Sequence, residues 1–226
     1  MDPLNSDLAK EFSGLDQLFR IYHQLDLDIA GLKIRTGLDC IPSCRSCCAT
    51  SQTNIEVSLF ELIPLAIHLW EVNEAEFWLD RTAAAGTNSP CVLYMADPKE
   101  SPISGCRYYQ LRPLICRLFG YGAIRDKYGK FRAVICRSMK LLRPDLVHRA
   151  EQLMDTGLEV PDFSSVTRSV AVLNPYLSEP RYPINQAFSL ALEKVGYRRS
   201  LLRSAGECNE ENPDPTKPHP HLGRTA

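Results

Sequence analysis

The chain of 226 residues carries 44% hydrophobic and 23% charged residues and a formal net charge of −1. This is the composition of an ordinary globular protein, and its near-zero charge gives no overall attraction to nucleic acid or to a membrane surface. The opening residues lack the basic start and the apolar run of a signal peptide, and the most apolar stretch, 59–70, falls short of the roughly 20 residues of a membrane span. We therefore expect a cytoplasmic protein with no transmembrane segment.

The first third of the chain is predicted to be helical, with a cysteine-rich loop between the helices. Apolar residues at helical spacing over 7–35 predict a short helix and a longer one, separated by a break at 13–14. A cap at Thr53 or Asn54 predicts a further helix that runs to about Trp70.

The second half of the chain adds one hairpin and more helices. Segment 121–136 places β-favouring residues on both sides of a turn at 126–129, which predicts a β-hairpin. Helical patterns occupy 74–85, 144–156, 162–173 and 183–203. The fold class is therefore mainly α with a small β-hairpin (α+β), combined with irregular cysteine-rich metal-binding loops.

We divide the chain into four regions. An N-terminal helical arm covers 1–36, the cysteine cluster metal-binding core covers 37–140, and C-terminal helices packed on that core cover 141–205. The tail, 206–226, is rich in proline and poor in apolar residues, so it cannot bury enough surface to offset its ordering entropy, and we expect it to be disordered.

Cysteine usage is the most informative feature of the chain. In a reducing compartment, a dense set of cysteines indicates metal binding or catalysis more than disulfides, and the total of nine is odd, which suits pairing poorly. Sulfurs separated by two or three residues can face one ion or cluster. The candidate metal ligands are Cys40, Cys44, Cys47, Cys48, Cys91, Cys106, Cys116 and Cys136.

The adjacent pair Cys47 and Cys48 leaves the number of sites open. Successive side chains of an extended segment point in opposite directions, so these two cysteines can serve two different sites, or one of them can lie outside the ligand set. Eight cysteines allow two four-sulfur sites, or one site and a bridged pair.

The layout of one tight run followed by single cysteines favours iron or an iron–sulfur cluster over zinc. Zinc ribbons usually present two close pairs, but sulfur-rich sites also take zinc readily, and affinity alone does not select the metal. Zinc therefore stays as the alternative cofactor, and copper or no metal is left open.

Four of the cysteines are followed directly by an arginine. A guanidinium near a thiol lowers its pKa and stabilises the charged thiolate that a metal needs. These arginines are Arg45, Arg107, Arg117 and Arg137. Three of them, Arg107, Arg117 and Arg137, also belong to a basic segment, 97–149, which holds twelve Lys/Arg against four Asp/Glu.

The run CIPSCRSCC and the later segment CRYYQLRPLICR resemble the zinc- or iron-chelating cysteine cluster family of the YkgJ type (CxxCxxCC), whose second element is C-x2-Y-x2-RP-x2-CR. The resemblance covers about 37–138. Three residues, not two, separate Cys40 from Cys44, so the first motif departs from the plain form. The second motif agrees in type and spacing at six positions, which are Cys106, Tyr109, Arg112, Pro113, Cys116 and Arg117.

The resemblance implies roles for residues around the ligands. On the motif register, Tyr109 and Arg112 are expected to hydrogen-bond ligand sulfurs from outside, and Arg117 to support the same sulfurs. Pro113 suits the first helical position, which would place Cys116 in a first helical turn, where N–H groups favour a thiolate.

Three functions follow from these observations. The first is a metal-binding protein, with iron–sulfur, iron or zinc, that has a redox or electron-transfer role. The second is a zinc-stapled module that binds a protein or RNA; we do not favour nucleic acid, because no RNA-binding motif is present. The third is an enzyme, because one branch that resembles the family methylates lysines of flagellin and is associated with an iron–sulfur cluster. No catalytic residue can be assigned.

The spacing of the first cysteines also equals the C-x3-C-x2-C motif of radical enzymes that cleave S-adenosylmethionine. Ser46, not an aromatic residue, precedes the last of these cysteines, and the chain lacks the strand–helix series of an α/β barrel. We therefore do not favour this class.

Overall fold

The architecture comes from a computed structural model that describes residues 6–41, 44–96 and 105–210, with backbone only for 206–210. Within these ranges the helices are α1 (Asp7–Lys10), α2 (Leu15–Thr36), α3 (Leu59–Glu71), α4 (Ala75–Ala83), α5 (Leu114–Leu118), α6 (Arg137–Leu142), α7 (Pro144–Asp155), α8 (Phe163–Ala171), α9 (Pro175–Ser178) and α10 (Ile184–Glu210). The strands are β1 (Glu56–Ser58), β2 (Ala123–Arg125), β3 (Phe131–Ala133) and β4 (Arg181–Pro183). Short 3₁₀ turns cover Gln52–Asn54 and Tyr109–Leu111.

The fold class predicted from the sequence is confirmed. Within the described ranges the protein is mainly helical, and the strands form two small antiparallel sheets. The β2–β3 pair is the predicted hairpin. In its turn, Gly129 takes a φ of 78°, and the Asp126 carboxylate accepts hydrogen bonds from the backbone N–H groups of Tyr128 and Lys130. The β1–β4 pair joins distant parts of the chain and was not expected from the sequence.

The predicted break near residue 13 is a helix boundary. Gly14 has a φ of 91° and stands at the N-cap of α2, a conformation that glycine adopts without a steric penalty. A Cβ at this position would meet the Leu173 carbonyl oxygen at 3.0 Å. Glycine is therefore required both by the turn and by the close approach of the chain that precedes α9.

The start of α3 was predicted four to five residues too early. Ser58 is its N-cap, and Ser58 and Glu61 form a capping box in which each side chain accepts from the other residue's backbone N–H. Residues 56–58 are held in β1 by their pairing with β4, so the helix cannot begin at 53–54. Thr53 and Glu56 fit the same capping-box pattern as Ser58 and Glu61, so the pattern alone did not select the true start.

Most of the buried surface belongs to one cluster, here called the main core, built largely from α2, α3 and α10. Helix α3 is apolar on nearly all sides, as expected for a central helix. It packs closely on α10: the Trp70 indole donates to the Leu192 carbonyl at 2.8 Å, and a Cβ on Gly196 would meet the Trp70 ring at 2.5 Å.

A second, much smaller cluster lies under the hairpin. This minor core consists of the buried residues Leu38, Met139, Val147 and Ala150, with Tyr121 and Cys136 among the partly buried side chains around it. It joins the end of α2 to α6 and α7. The molecule therefore has one large and one small apolar cluster, and the cysteine loops lie against both.

The four-region division of the chain stays a prediction. The arm's helix α2 contributes Leu18 and Leu25 to the same main core as α10 of the C-terminal region. The predicted tail falls outside the described residues, apart from the backbone of 206–210. Within the described part of the chain, none of the helices combines the length and the apolar character needed to span a bilayer.

Candidate metal centre

Cys40 lies just beyond α2 on a segment held by a polar network. The Asp39 carboxylate accepts from the Lys33 ammonium at 2.8 Å and from the Tyr121 hydroxyl at 2.7 Å. The Cys40 N–H donates to the same Tyr121 hydroxyl at 2.8 Å. Because Tyr121 directly precedes the hairpin, these contacts tie the first cysteine of the cluster to a segment 81 residues away.

Cys47 and Cys48 lie in a tight turn. The N–H groups of Cys48 and Ala49 donate to the Arg45 carbonyl at 2.9 and 3.0 Å. The Cys47 and Cys48 sulfurs are 3.9 Å apart. The alternation expected of an extended segment does not apply to this turn, and the two sulfurs lie side by side.

Two serines connect Cys44 with Cys136. The Cys44 sulfur lies 3.5 Å from the Ser46 hydroxyl, and the Ser138 hydroxyl donates to Ser46 at 3.4 Å. Ser138 belongs to α6, which Cys136 caps: its sulfur accepts from the Met139 N–H at 3.4 Å. Hydrogen bonds from Ser46 hold the pKa of Cys44 below its usual value, because they stabilise the thiolate.

Cys91 and Cys106 lie on two backbone segments that pair with each other. Tyr94 and Cys106 form an isolated antiparallel bridge. The Arg107 N–H donates to the Leu93 carbonyl at 3.0 Å, which continues the same pairing. The stretch 97–104 between the two segments lies outside the described residues. The pairing keeps two cysteines that are distant in sequence next to each other.

A buried asparagine of α10 anchors the Cys91 segment. The Asn185 side-chain oxygen accepts from the Val92 N–H at 2.9 Å, and its amide nitrogen donates to the Pro90 carbonyl at 3.1 Å. Asn185 is only 3% exposed. A side chain that binds the backbone on both sides of Cys91 fixes that cysteine to the longest helix.

A buried carboxylate positions the short helix α5, which carries Cys116. Glu61 Oε1 accepts from the Leu114 N–H at 2.8 Å, at the first residue of α5. Glu61 Oε2 accepts from the Ser58 N–H at 3.0 Å and from the Ser58 hydroxyl at 2.8 Å. One side chain thus caps α3 and holds the start of α5, so the position of Cys116 depends on the central helix.

Arg117 is engaged by the scaffold on the other side of α5. Its guanidinium lies 2.7 Å from the Asp26 carboxylate of α2, donates to the Arg112 carbonyl at 3.0 Å and stands 4.3 Å from the centre of the Tyr22 ring. The Arg117 side chain is 4% exposed. The cation that we expected beside a sulfur therefore fastens the segment that carries Cys116 to α2.

Arg112 is the cation that acts on the cysteines. Its guanidinium lies 3.4 Å from the centre of the Tyr109 ring and donates to the carbonyl oxygens of Tyr109 and Cys116, at 2.8 and 3.1 Å. These bonds go to carbonyl oxygens and not to the sulfurs that we expected. The pKa of three nearby thiols is raised on balance, by the hydrogen bond with Cys48 at Cys47 and by burial at Cys106 and Cys116, and the Arg112 charge offsets part of each rise.

Burial makes several of these thiols reluctant to ionise. It raises the pKa of Cys91 to about 12. Cys40 is an exposed residue, but partial burial of its sulfur, together with the nearby thiolates of Cys44, Cys47 and Cys136, raises its pKa to about 11. Burial also raises the pKa of Cys116, which the nearby thiolates of Cys91 and Cys106 raise further. The expectation that the first helical turn favours a Cys116 thiolate is outweighed, since α5 has five residues and the thiol is buried. A bound cation would neutralise the thiolates and so remove the free-energy cost of ionising these buried thiols.

The donor set fits a soft metal in chemical type, since all eight candidate ligands are free thiols. Within the part of the chain that the structure describes, no group of three or more His, Cys, Asp or Glu side chains is arranged to hold an ion. Residues 42–43 and 97–104, which border the cysteine loops, lie outside that part. The sulfurs would have to draw together on metal binding, which couples binding to folding.

The residues that position the cysteines were missed by the sequence reasoning. Glu61 carried a readable signal, the capping box with Ser58. Asn185 and Asp26 carried no such signal, because their partners are 93 and 91 residues away.

One family model matches the part of the chain that holds this site. No curated protein and no solved structure was found to match the chain. The matched segment contains all eight candidate ligands. Residues 39–137 match the CxxCxxCC family, described as "Putative zinc- or iron-chelating domain", which confirms the resemblance noted from the cysteine motifs.

Proposed function

We propose that residues 39–137 bind zinc or iron through cysteine thiolates, and that the metal fastens the cysteine loops to the helical scaffold. The observation that carries this proposal is that buried polar side chains hold the segments on which the cysteines lie. Asn185 binds the backbone on both sides of Cys91. Glu61 binds the first residue of α5, which carries Cys116, and Arg117, the residue after Cys116, fastens that segment to α2. Each of these side chains belongs to a residue that is at most 5% exposed. Such groups are costly to bury, and here they position thiols.

The thiols themselves support the same proposal. Cys91, Cys106 and Cys116 come from three separate segments, yet all three pack against the main core, and a thiolate at Cys91 or Cys106 would raise the pKa of Cys116. Holding several partly buried thiols together has no benefit for packing that an apolar residue would not supply. A metal gives these thiols a partner, because it takes the place of their protons and neutralises the thiolates.

Iron, in the form of an iron–sulfur cluster with a redox role, is the finer form of the proposal, with zinc as the alternative. It is supported by the layout of one tight cysteine run followed by single cysteines. Protein purified without oxygen should then be brown, with visible absorbance that dithionite bleaches. A colourless protein with stoichiometric zinc would exclude the iron–sulfur form and leave the chelating function intact. The interaction-module and lysine-modifying alternatives stay predictions of the sequence.

The chelating function is tested by removing one buried ligand. Cys116→Ser should lower the metal content, measured by elemental analysis of the purified protein, because it takes away a donor and leaves the loop without its anchor. Cys208→Ser is the matched control, since Cys208 lies outside the family segment, and it should keep the full metal content. Equal metal contents in the two variants would refute the ligand set.

A further inference from the structure

We propose that the eight cysteines form two separate metal centres. This inference rests on the proposed function and deepens it. The inner centre consists of Cys48, Cys91, Cys106 and Cys116. The outer centre consists of Cys40, Cys44, Cys47 and Cys136.

The inner cysteines share the main core. Cys91, Cys106 and Cys116 are the cysteines packed against that cluster among the described residues. Cys48 joins them through its neighbour across the loop: a Cβ placed on Gly105, the residue before Cys106, would lie 3.3 Å from the Cys48 Cβ. The close approach of the two backbones at Gly105 brings the Cys48 side chain to the Cys106 segment.

The outer cysteines share the minor core and the hairpin. Cys136 packs against the minor core, and Tyr121, whose hydroxyl holds the Cys40 backbone, packs against both the minor and the main core. Cys44 is tied to the helix that Cys136 caps through the Ser46–Ser138 hydrogen bond. These contacts gather cysteines that are up to 96 residues apart in the sequence, and none of them involves the bridge between the Cys91 and Cys106 segments.

The turn at 45–48 joins the two groups. The Cys47 and Cys48 sulfurs are 3.9 Å apart, so one turn supplies a ligand to each centre. A Cys47 thiolate raises the pKa of Cys40 in the outer group and also that of Cys106 and Cys116 in the inner group, so the two centres are neighbours. The groups differ in access to solvent: two of the four outer cysteines, Cys40 and Cys47, are exposed, whereas all four inner cysteines are partly buried. The outer centre should therefore exchange its metal with solution faster than the inner one.

Cobalt titration of metal-free, reduced protein tests the number of centres. Thiolate-bound Co²⁺ is followed by its charge-transfer absorbance, and Zn²⁺ is measured in parallel by elemental analysis. The wild-type protein should bind two equivalents. Cys40→Ser, at an exposed position, and Cys136→Ser should each bind one, and Cys91→Ser should also bind one. Circular dichroism of each variant checks that the helices are retained.

The outcomes separate this inference from the proposed function. One equivalent in the wild type, kept in Cys136→Ser and lost in Cys116→Ser, would overturn the outer centre and leave the chelating function standing. Loss of both equivalents in Cys40→Ser with intact helices would indicate a single joint centre and overturn the division. No bound metal in the wild type would overturn the proposed function itself.

Metal release to a chromogenic chelator tests the difference in access. The wild type should release metal in two phases of equal amplitude, and Cys40→Ser should lack the fast phase. Cys91→Ser should lack the slow phase. A single phase in the wild type with two bound equivalents would overturn the difference in exchange.

Discussion

The two apolar clusters of the molecule give the cysteines very different surroundings. The main core is large and is built from three long helices, and the cysteines against it are held by buried polar contacts to α3 and α10. The minor core has four buried residues, and the cysteines near it are held by serine and tyrosine hydroxyls at the surface. The comparison teaches that a large core can fix a thiol before metal arrives, whereas a small one leaves more of the ordering to the metal.

The acidity of the thiols varies within the groups as well as between them, since the pKa of Cys40, in the outer group, is also raised, to about 11. Burial raises the pKa of Cys91 to about 12, whereas hydrogen bonds from Ser46 lower the pKa of Cys44. A thiol with a low pKa loses its proton to a metal at lower cost. We therefore expect Cys44 to engage metal at a lower pH than Cys91 does.

The largest effect is expected from a large-to-small change in the main core. Phe188 on α10 is 1% exposed, and Phe188→Ala should lower the free energy of unfolding by about 3–5 kcal/mol, because a cavity replaces its ring. Chemical denaturation of the metal-free protein measures the change. Tyr197→Ala, at a residue 61% exposed on the same helix, is the control and should cost less than about 0.5 kcal/mol. A loss below 1 kcal/mol in Phe188→Ala would contradict the central position given to this core.

A truncation in the minor core should cost less and act locally. Met139 is 1% exposed, and Met139→Ala should cost about 2 kcal/mol, at the low end for buried methionine, since a small cluster relaxes around the missing atoms. Hydrogen exchange should speed up in α6, α7 and the hairpin and stay unchanged in α3. Equally faster exchange in α3 would show that the two clusters unfold as one unit.

Removal of the Arg117 guanidinium should loosen the segment that carries Cys116. Arg117→Ala should lower the free energy of unfolding by about 1.5–3 kcal/mol, because it removes charge-assisted hydrogen bonds of a buried side chain. Metal affinity should fall as well, since α5 loses its attachment to α2. Arg117→Lys keeps the charge but lacks the planar set of N–H donors of a guanidinium, so it should restore only part of the metal affinity. Full affinity in Arg117→Ala would remove this residue from the support of the site.

The smallest effect on the fold is expected from a modest rise in pH, which changes the ionisation of the thiols. In the metal-free protein near pH 8, iodoacetamide should modify Cys44 about tenfold or more faster than Cys91, because only the thiolate reacts. Peptide mass spectrometry after short exposures to iodoacetamide measures the order in which the two cysteines are modified. The unfolded chain ionises its thiols near pH 8.5, whereas folding keeps the Cys91 thiol protonated until about pH 12. Stability should therefore fall as the pH rises above about 8.5. Equal modification of both cysteines would contradict the assigned difference in burial.

Local patterns predicted much of the fold. The break near Gly14, the hairpin and the helices α2, α4, α7 and α8 depend on residues close together in the chain, so periodicity and turn residues reveal them. The start of α3 was misplaced because the pairing of β1 with β4 is a contact between segments more than 120 residues apart. Secondary-structure propensities of neighbouring residues carry no information on such a distant partner strand.

The candidate ligands were identified by residue type and spacing, and the family match rests on the same pattern. Their grouping was not predictable, because it depends on which segments pack against the main core and which against the minor core. The motif arginine Arg117 shows the same limit: its charge suggested a role at the thiolates, but the position of Asp26 on α2 directs its guanidinium into the scaffold.

The sequence by itself determined the helical class of this protein and its set of thiols, because both are written in residue type and short-range spacing. Only the tertiary structure decided which thiols are neighbours, which are buried and which polar side chains position them. Those properties arise from contacts between distant segments, whose partners are brought together only when the helices pack.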